Sequence, residues 1–546
     1  MKTSNIFKYS AIGILLLSLA SCGDSFLEVE PSSSVSIDGY YTTKAHIDEA
    51  VTASYDPMHW YDYFSGWCPL FLVSDSQGDD LYVGGGSTSD QAEIHLASQY
   101  KSTSLMTFGG AWTTSYSGIN RSNLVIADAE SSNLPDAEKA AYIAEGTTTR
   151  AFYYLVLWKY WGNIPYYDKN LTSPYIAPQK SEAEVYKLVT SDLEKVIDSK
   201  VLPMKETPAR AGHATQAFAE MLYADFVMYQ KDESKYKKAL SYMEDIINSK
   251  KYRLMDDFSS IWEQSNEWCD ESIYEINYFS KGSTRDWGNA NAPGGTVIPA
   301  IIGVDGLTYT ASDAHKAENP NYVAKPDFVS GWGFCDVSKE CYDAYEPNDQ
   351  RRDGGILDME TYAAKYKAQT GDNVTYGGRY QNTGLFLRKY LGRPGGNANA
   401  TASSDLGWDN NQRIYRYAET LLNASELALR TGDNAKAQNY FQQVRDRAFR
   451  GNAPYKQVSL DNLLNERRLE FVGEGKRYYD LIRFGKACQR KKGARRSASP
   501  AISRESCQRA RTAGHRSAAS YCSLWAASRR PACGDIRTPS ISRRRT

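Results

Sequence analysis

Two well-separated stretches of this chain repeat one design, and that repeat restricts its fold more than any other feature. From Ile414 to Arg430, the residues Ile414, Tyr417, Ala418, Leu421, Leu422, Ser425, Ala428 and Leu429 recur at spacings of three and four, laying one apolar stripe along a helix. Thr431-Gly432-Asp433 interrupts the pattern. Gly432 suits the left-handed position after a helix end, and Asp433 or Asn434 can accept the free amides of a second helix carrying Ala435, Ala437, Tyr440, Phe441 and Val444. So short a turn forces the helices antiparallel. Earlier, Ala217, Phe218, Met221, Leu222 and Phe226 lead in the same way through Lys231-Asp232-Glu233 to Tyr236, Ala239, Leu240, Met243, Ile246 and Ile247.

Small residues where the helices meet (Ala224 and Ala239; Ala424 and Ala437) and an aromatic on each second helix resemble tetratricopeptide units, whose hairpins must stack to bury a continuous core. The alternative is two unrelated amphipathic hairpins in an all-α domain; both readings make these stretches scaffold. Helical patterns also run from Lys44 to Tyr55, Ala111 to Ala129, Ala137 to Trp161 and Glu182 to Ile197, and Ile273 to Tyr278 alternates like a short strand. Two stretches, Pro57 to Gly110 and Lys281 to Asn411, lack helical periodicity while crowding Trp, Tyr, Gly and Asn, which points to ordered functional loops. The expected fold is mostly all-α: a tetratricopeptide-like hairpin scaffold with long irregular loops and a few short strands.

Charge and cysteine usage exclude several function classes. The net charge of −1 conceals a division: after residue 486 there are 15 Lys and Arg against Glu505 and Asp535, leaving 49 basic and 63 acidic residues before it. An acidic body is a poor partner for nucleic acid, whose phosphates dominate affinity. The six histidines are dispersed and no CxxC occurs, so neither a metal site nor a cofactor is expected. Cys335 and Cys341 could pair or remain two buried thiols. No GxSxG, phosphate-loop or HExxH signature is present.

At the N-terminus, Lys2 and Lys8 precede an apolar run from Ala11 to Ala20, the length of a signal-peptide core. Leu19-Ala20-Ser21-Cys22 follows and resembles the bacterial lipobox, which implies cleavage before Cys22 and acylation of its thiol. Each buried acyl CH₂ contributes about 0.8 kcal/mol, so several chains anchor a protein to a membrane without a spanning helix.

Further motifs occur in order: Cys22-Gly23-Asp24-Ser25-Phe26-Leu27 with Pro31; Trp112 with Ile119-Asn120-Arg121-Ser122-Asn123; Arg150-Ala151-Phe152-Tyr153-Tyr154-Leu155 leading to Trp161-Gly162-Asn163-Ile164-Pro165; and Asp349 with Arg351. Then come Arg416-Tyr417-Ala418-Glu419 with Glu426, and Glu466-Arg467-Arg468-Leu469-Glu470-Phe471 with Glu474-Gly475, Tyr478, Asp480, Leu481 and Arg483. Together these resemble the SusD-like (RagB-like) family of outer-membrane nutrient-binding lipoproteins. The resemblance implies a signal peptide over 1–21, a SusD-like N-terminal half with helical repeats over 22–260, and a C-terminal half with a loop insertion and terminal repeat over 261–486. The basic stretch 487–546 lacks the family's usual continuation and reads as a frameshifted or unstructured tail.

The resemblance also implies a lipid-anchored protein at the outer-membrane surface that captures oligosaccharides and passes them to a SusC-like TonB-dependent transporter, without catalysis. A surface glycoside hydrolase and a helical-repeat protein adaptor are the alternatives. A pyranose rests its C–H face on Trp or Tyr while planar polar groups meet its hydroxyls. Residues of that kind in the irregular stretches are Trp67, Asp80 and Tyr82 in the first, and Arg285, Trp287, Asn289 and Trp332 in the second. A hydrolase would need two carboxylates across a cleft, for which Asp75 with Asp79 or Asp80 is one of many pairs. Glu466, Glu470, Asp480 and the neighbouring arginines read as helix-end ion pairs, and Trp112, Trp158, Trp161 and Trp262 as scaffold.

Overall fold

A computed structural model describes residues 40–62 and 74–487; Cys22, Trp67 and the basic tail lie outside the described residues. The principal helices in chain order are α1 (Lys44–His59), α2 (Gly109–Ser131), α3 (Asp136–Trp161), α4 (Glu182–Ser199), α5 (Gln216–Gln230), α6 (Tyr236–Ser249), α7 (Tyr417–Arg430), α8 (Asn434–Ala448), α9 (Leu460–Phe471) and α10 (Arg477–Arg483). Their ends are chemically marked. Ser181 and Glu184 form a reciprocal capping box at α4, and Thr215 caps α5 by accepting from the Phe218 amide.

Both expected hairpins form. Gly432 adopts φ +91°, and the Asp433 side chain accepts from the Lys436 amide at 3.1 Å. In the α5–α6 turn, Lys231 takes the left-handed position at φ +62°, a strained choice that glycine would relieve. Ala224, Ala239, Ala424 and Ala437 are fully buried, and α6 packs along α7, so the hairpins stand side by side as stacked repeats. The wall continues through α4 against α5, α3 against α4, and α2 between α3 and α1.

The start of the terminal hairpin departs from expectation. Ile414 belongs to strand β8 (Gln412–Arg416), paired antiparallel with β3 (Ser272–Ile276), and α7 begins only at Tyr417. Ile414 sits three residues before Tyr417 and so imitates a helical stripe, but it lies in the strand where the register with β3 is irregular, and its carbonyl accepts from the Lys476 ammonium at 2.9 Å. The expected strand at Ile273–Tyr278 is β3 itself. The other strands, β1 (Ile164–Pro165), β2 (Gln179–Lys180), β4 (Thr308–Thr310), β5 (Ile356–Asp358), β6 (Asn373–Thr375) and β7 (Leu385–Leu387), pair antiparallel as β1–β2, β4–β6 and β5–β7.

The long irregular stretch also contains a helix, Met359–Thr370, that periodicity does not reveal, because only Met359 and Tyr366 are buried on it. A continuous hydrophobic cluster runs from Met58 to Val472, and a smaller one gathers Val304, Phe328, Leu357, Met359 and Phe386 under the irregular stretch. Cys335 and Cys341 are both buried free thiols.

A second core is ionic. Glu470 on α9 meets Arg351, Arg416 and Arg447; Arg416 and Lys389 also reach Glu474, at 2.8 and 2.6 Å. Beside it, Asp480 takes Arg467 and Arg483, both at 2.8 Å. Burial pushes the Asp480 carboxyl up, but the two guanidinium groups outweigh it and hold it at about 2. These are the motif residues read as helix-end ion pairs. They do pair, with Arg468 and Glu470 in the last turn of α9, but inside the core, and each charge is retained because opposite charges and hydrogen bonds surround it.

Candidate functional site

The two irregular stretches meet. Leu81 and Gly84 bridge antiparallel to Val337 and Phe334, and the Tyr82 amide donates to the Asp336 carbonyl at 2.9 Å. Glycine is obligatory at this contact: a Cβ on Gly84 would lie 2.5 Å from the Gly333 carbonyl oxygen, and one on Gly85 2.5 Å from the Phe334 ring. The glycine run therefore seats the first stretch against Gly333 and Phe334, which follow Trp332 in the chain; Tyr82, two residues before the run, is half-buried.

Trp332 carries the site's first ring. Its backbone is held by a bond from its amide to the Ala300 carbonyl at 2.8 Å, and its indole lies half-buried on the main core. The second ring arrives from the loop 279–296. Trp287 projects from this loop with 49% of its surface in solvent, the one exposed tryptophan among the described residues. Its ring centre lies 5.8 Å from that of Trp332, with planes inclined by 36°. Adjacent tilted indoles, one of them half in solvent, are the kind of surface on which the C–H face of a sugar can rest. Asn289 is exposed at the same loop tip, where the Asp286 carboxylate accepts from the Gly288 and Asn289 amides, each at 2.8 Å, and fixes the turn.

Sequence reasoning missed a group of polar side chains beside Gly333, the residue after Trp332. The Arg379 stem passes 3.3 Å from where a Cβ on Gly333 would stand, and its Nε donates to Asp305 at 3.1 Å, with Asp90 3.9 Å from Nη1. All three are about one-third exposed. Only the fold brings them to the platform, so no local pattern marked them.

Two expected contact residues are corrected. Asp80 is buried and paired with Arg468 at 2.6 Å, and Arg477 stands 3.4 Å away, so its carboxylate faces protein and not ligand. Arg285 is equally buried, in a two-pronged pair with Asp62 at 2.6 and 2.9 Å. The same cluster disposes of the carboxylate pair considered for hydrolysis. Asp79 is clamped by Arg477 at 2.6 and 3.0 Å, and Asp75 accepts the Gly475 and Arg477 amides while burial pushes its carboxyl up to about 7. Both carboxylates are buried among these partners. Trp112 is half-buried and Trp158, Trp161 and Trp262 are buried, in keeping with scaffold.

Among the described residues, no group of three or more His, Cys, Asp or Glu side chains is placed to hold a metal ion, and no helix is long and apolar enough to cross a membrane. A separate open cleft of about 870 Å³ lies between Tyr252–Asp257 and the end of α8. Its charges are balanced between Arg253, Arg447 and Arg450 and Asp256, Asp257 and Asp446, and its tyrosines, Tyr252 and Tyr417, are buried, so it offers no stacking face.

Known proteins share this fold. The SusD family pattern matches residues 270–519, reaching past the composition change at residue 486. Surface glycan-binding protein A from Bacteroides thetaiotaomicron, solved in complex with laminarihexaose, is 42% identical, and the alignment covers 82% of this chain and 91% of that one with a TM-score of 0.73. The surface glycan-binding protein A of Bacteroides uniformis is 39% identical over 81% and 88% of the two chains, with a TM-score of 0.69. A laminarin-binding SusD-like protein is 27% identical over 84% and 95%, with a TM-score of 0.72.

Proposed function

We infer the function of this chain from its family: it belongs to the SusD family, and it captures an oligosaccharide at the cell surface by stacking sugar rings on Trp287 and Trp332. The observation that carries this reading is the pair of adjacent indoles, one of them half-exposed, at the junction of the two irregular stretches. A stack of this kind contributes on the order of 1 kcal/mol per ring beyond simple burial, by analogy with aromatic pairs. Affinity stays modest, which suits capture followed by release.

The ligand we propose is a laminarin-type β-glucan, because relatives at 42% and 27% identity are described as binding laminarihexaose and laminarin. The relatives are described as binding proteins, and here Asp79 and Asp80 are absorbed in ion pairs and Asp75 accepts backbone amides, which supports capture without hydrolysis. The transfer step goes to a SusC-like TonB-dependent transporter, and acylated Cys22 holds the protein on the outer membrane. Isothermal titration of the full chain with laminarihexaose, cellohexaose and maltohexaose tests the ligand. Saturable binding of laminarihexaose without release of reducing sugar is expected; turnover, or binding to none of the three, would overturn the reading.

A further inference from the structure

The loop 279–296 sets the position of Trp287, yet it buries no large apolar side chain of its own. Its covered residues are Ser280, Ser283, Arg285, Ala290, Ala292, Gly294, Gly295 and Thr296, of which Arg285 is by far the largest. What orders the loop is therefore polar. The Arg285 Nε donates to the Ala290 carbonyl at 2.7 Å and Nη1 to the Gly295 carbonyl, so one guanidinium ties the outgoing limb to the returning limb. The same group forks onto Asp62, at the end of the 3₁₀ turn that closes α1. Asp62 in turn accepts from the Thr296 hydroxyl at 2.8 Å and the Val297 amide at 3.1 Å, where the loop rejoins the core. Gly294 lets the limbs close on this group, since a Cβ there would stand 2.1 Å from the Ser283 hydroxyl oxygen and 2.8 Å from the Arg285 Cβ.

We propose that the Arg285–Asp62 pair is a positioning latch: it holds the 279–296 loop in the one arrangement that sets the Trp287 indole beside Trp332, and so determines ligand affinity without touching ligand. The inference rests on the glycan-capture reading. A bland core ion pair would be satisfied anywhere, and apolar residues of similar volume often replace such pairs with little loss. Here the charges lie two residues from the exposed ring and contact both limbs of its loop, and a planar five-donor fork fixes all the partners at once, which an apolar filler or a lysine cannot do.

The test uses the full-length chain with Arg285→Lys, Trp287→Ala and the double variant. Laminarihexaose binding should weaken about tenfold in Arg285→Lys, and the same substitution should change affinity less than twofold when Trp287 is already Ala, because the latch acts through that ring. Where Trp287→Ala itself weakens binding, unchanged affinity in Arg285→Lys, or losses that simply multiply, would overturn the latch. Thr296→Val, which removes one donor to Asp62 and leaves the ion pair, replaces Arg285→Lys if the latter does not fold; a two- to threefold weakening with the same dependence on Trp287 is expected. Amide exchange provides a readout independent of ligand: residues 286–292 should exchange at least tenfold faster in Arg285→Lys while α7 and α8 keep wild-type protection. Wild-type exchange in that loop refutes the latch even if glycan is bound, whereas faster exchange in a protein whose Trp287→Ala variant binds normally upholds the latch and refutes the platform.

Discussion

Trp287→Ala is the substitution that most directly separates a binding platform from a packed core. Nearly half the side chain is already in solvent. A fully covered indole buries roughly 250 Å², so about 120 Å² remains open to a ligand. A sugar face covering half of that removes about 60 Å² of apolar surface from water, about 1.5 kcal/mol at ~25 cal/mol per Å², which is roughly a tenfold change in Kd. The folded state loses the buried half of the indole, about 130 Å² or roughly 3 kcal/mol at the same coefficient, and in a chain of this size that lowers Tm by about 3 °C. Calorimetric titration with laminarihexaose and a thermal melt on the same preparation read the two quantities. A Kd within twofold of wild type would refute the platform. A fall in Tm of more than about 5 °C would show that the ring is structural and that the exposed face is incidental.

Four further outcomes are expected. Cys22→Ala should abolish labelling by radioactive palmitate and release the protein from the membrane fraction; equal labelling removes the lipoprotein reading. Arg379→Ala should weaken glycan binding several-fold and blur discrimination among glucan linkages in a binding panel, because a planar donor beside Gly333, the residue after Trp332, is lost; an unchanged panel assigns Arg379 to the scaffold. Glu470→Gln leaves Arg351, Arg416 and Arg447 short of a counter-charge, so denaturant unfolding should show a loss of about 3–5 kcal/mol, with a loss below 1 kcal/mol contradicting the ionic core. Burial pushes the Asp336 carboxyl up to about 8 against the pull of the Thr383 amide, so the fold keeps its proton while the unfolded chain releases it near pH ~4; this term is fully present below that pH and is lost as pH rises through about 8. Asp336→Asn should therefore gain on wild type by up to about 1.4 kcal/mol per pH unit between those limits, and a difference that does not grow with pH rejects the assignment.

What could be read without coordinates is whatever the backbone decides within a few residues. The apolar stripes of α5 to α8, the left-handed Gly432 and the capping Asp433 are legible because a helix hydrogen-bonds to itself four residues away and its ends are satisfied by immediate neighbours. The same locality explains the two misses. Ile414 has helical spacing, but it lies in the strand that pairs with β3, and the Met359–Thr370 helix is too shallowly buried to carry a stripe. Residue type likewise marked Trp287 and Trp332 as candidates, since an indole in an aperiodic stretch has few other reasons to be there. Their adjacency was decided only when the chain folded. Asp80 and Arg285 show the limit most clearly. A carboxylate or guanidinium suits a sugar hydroxyl and a buried counter-ion equally well, and the partner that settles the matter is Arg468 in one case and Asp62 in the other, both hundreds of residues away. The sequence by itself thus determined the repeats and the kinds of side chain available for binding; tertiary structure alone decided which of them face water, because desolvation and charge pairing depend on what the rest of the chain brings alongside.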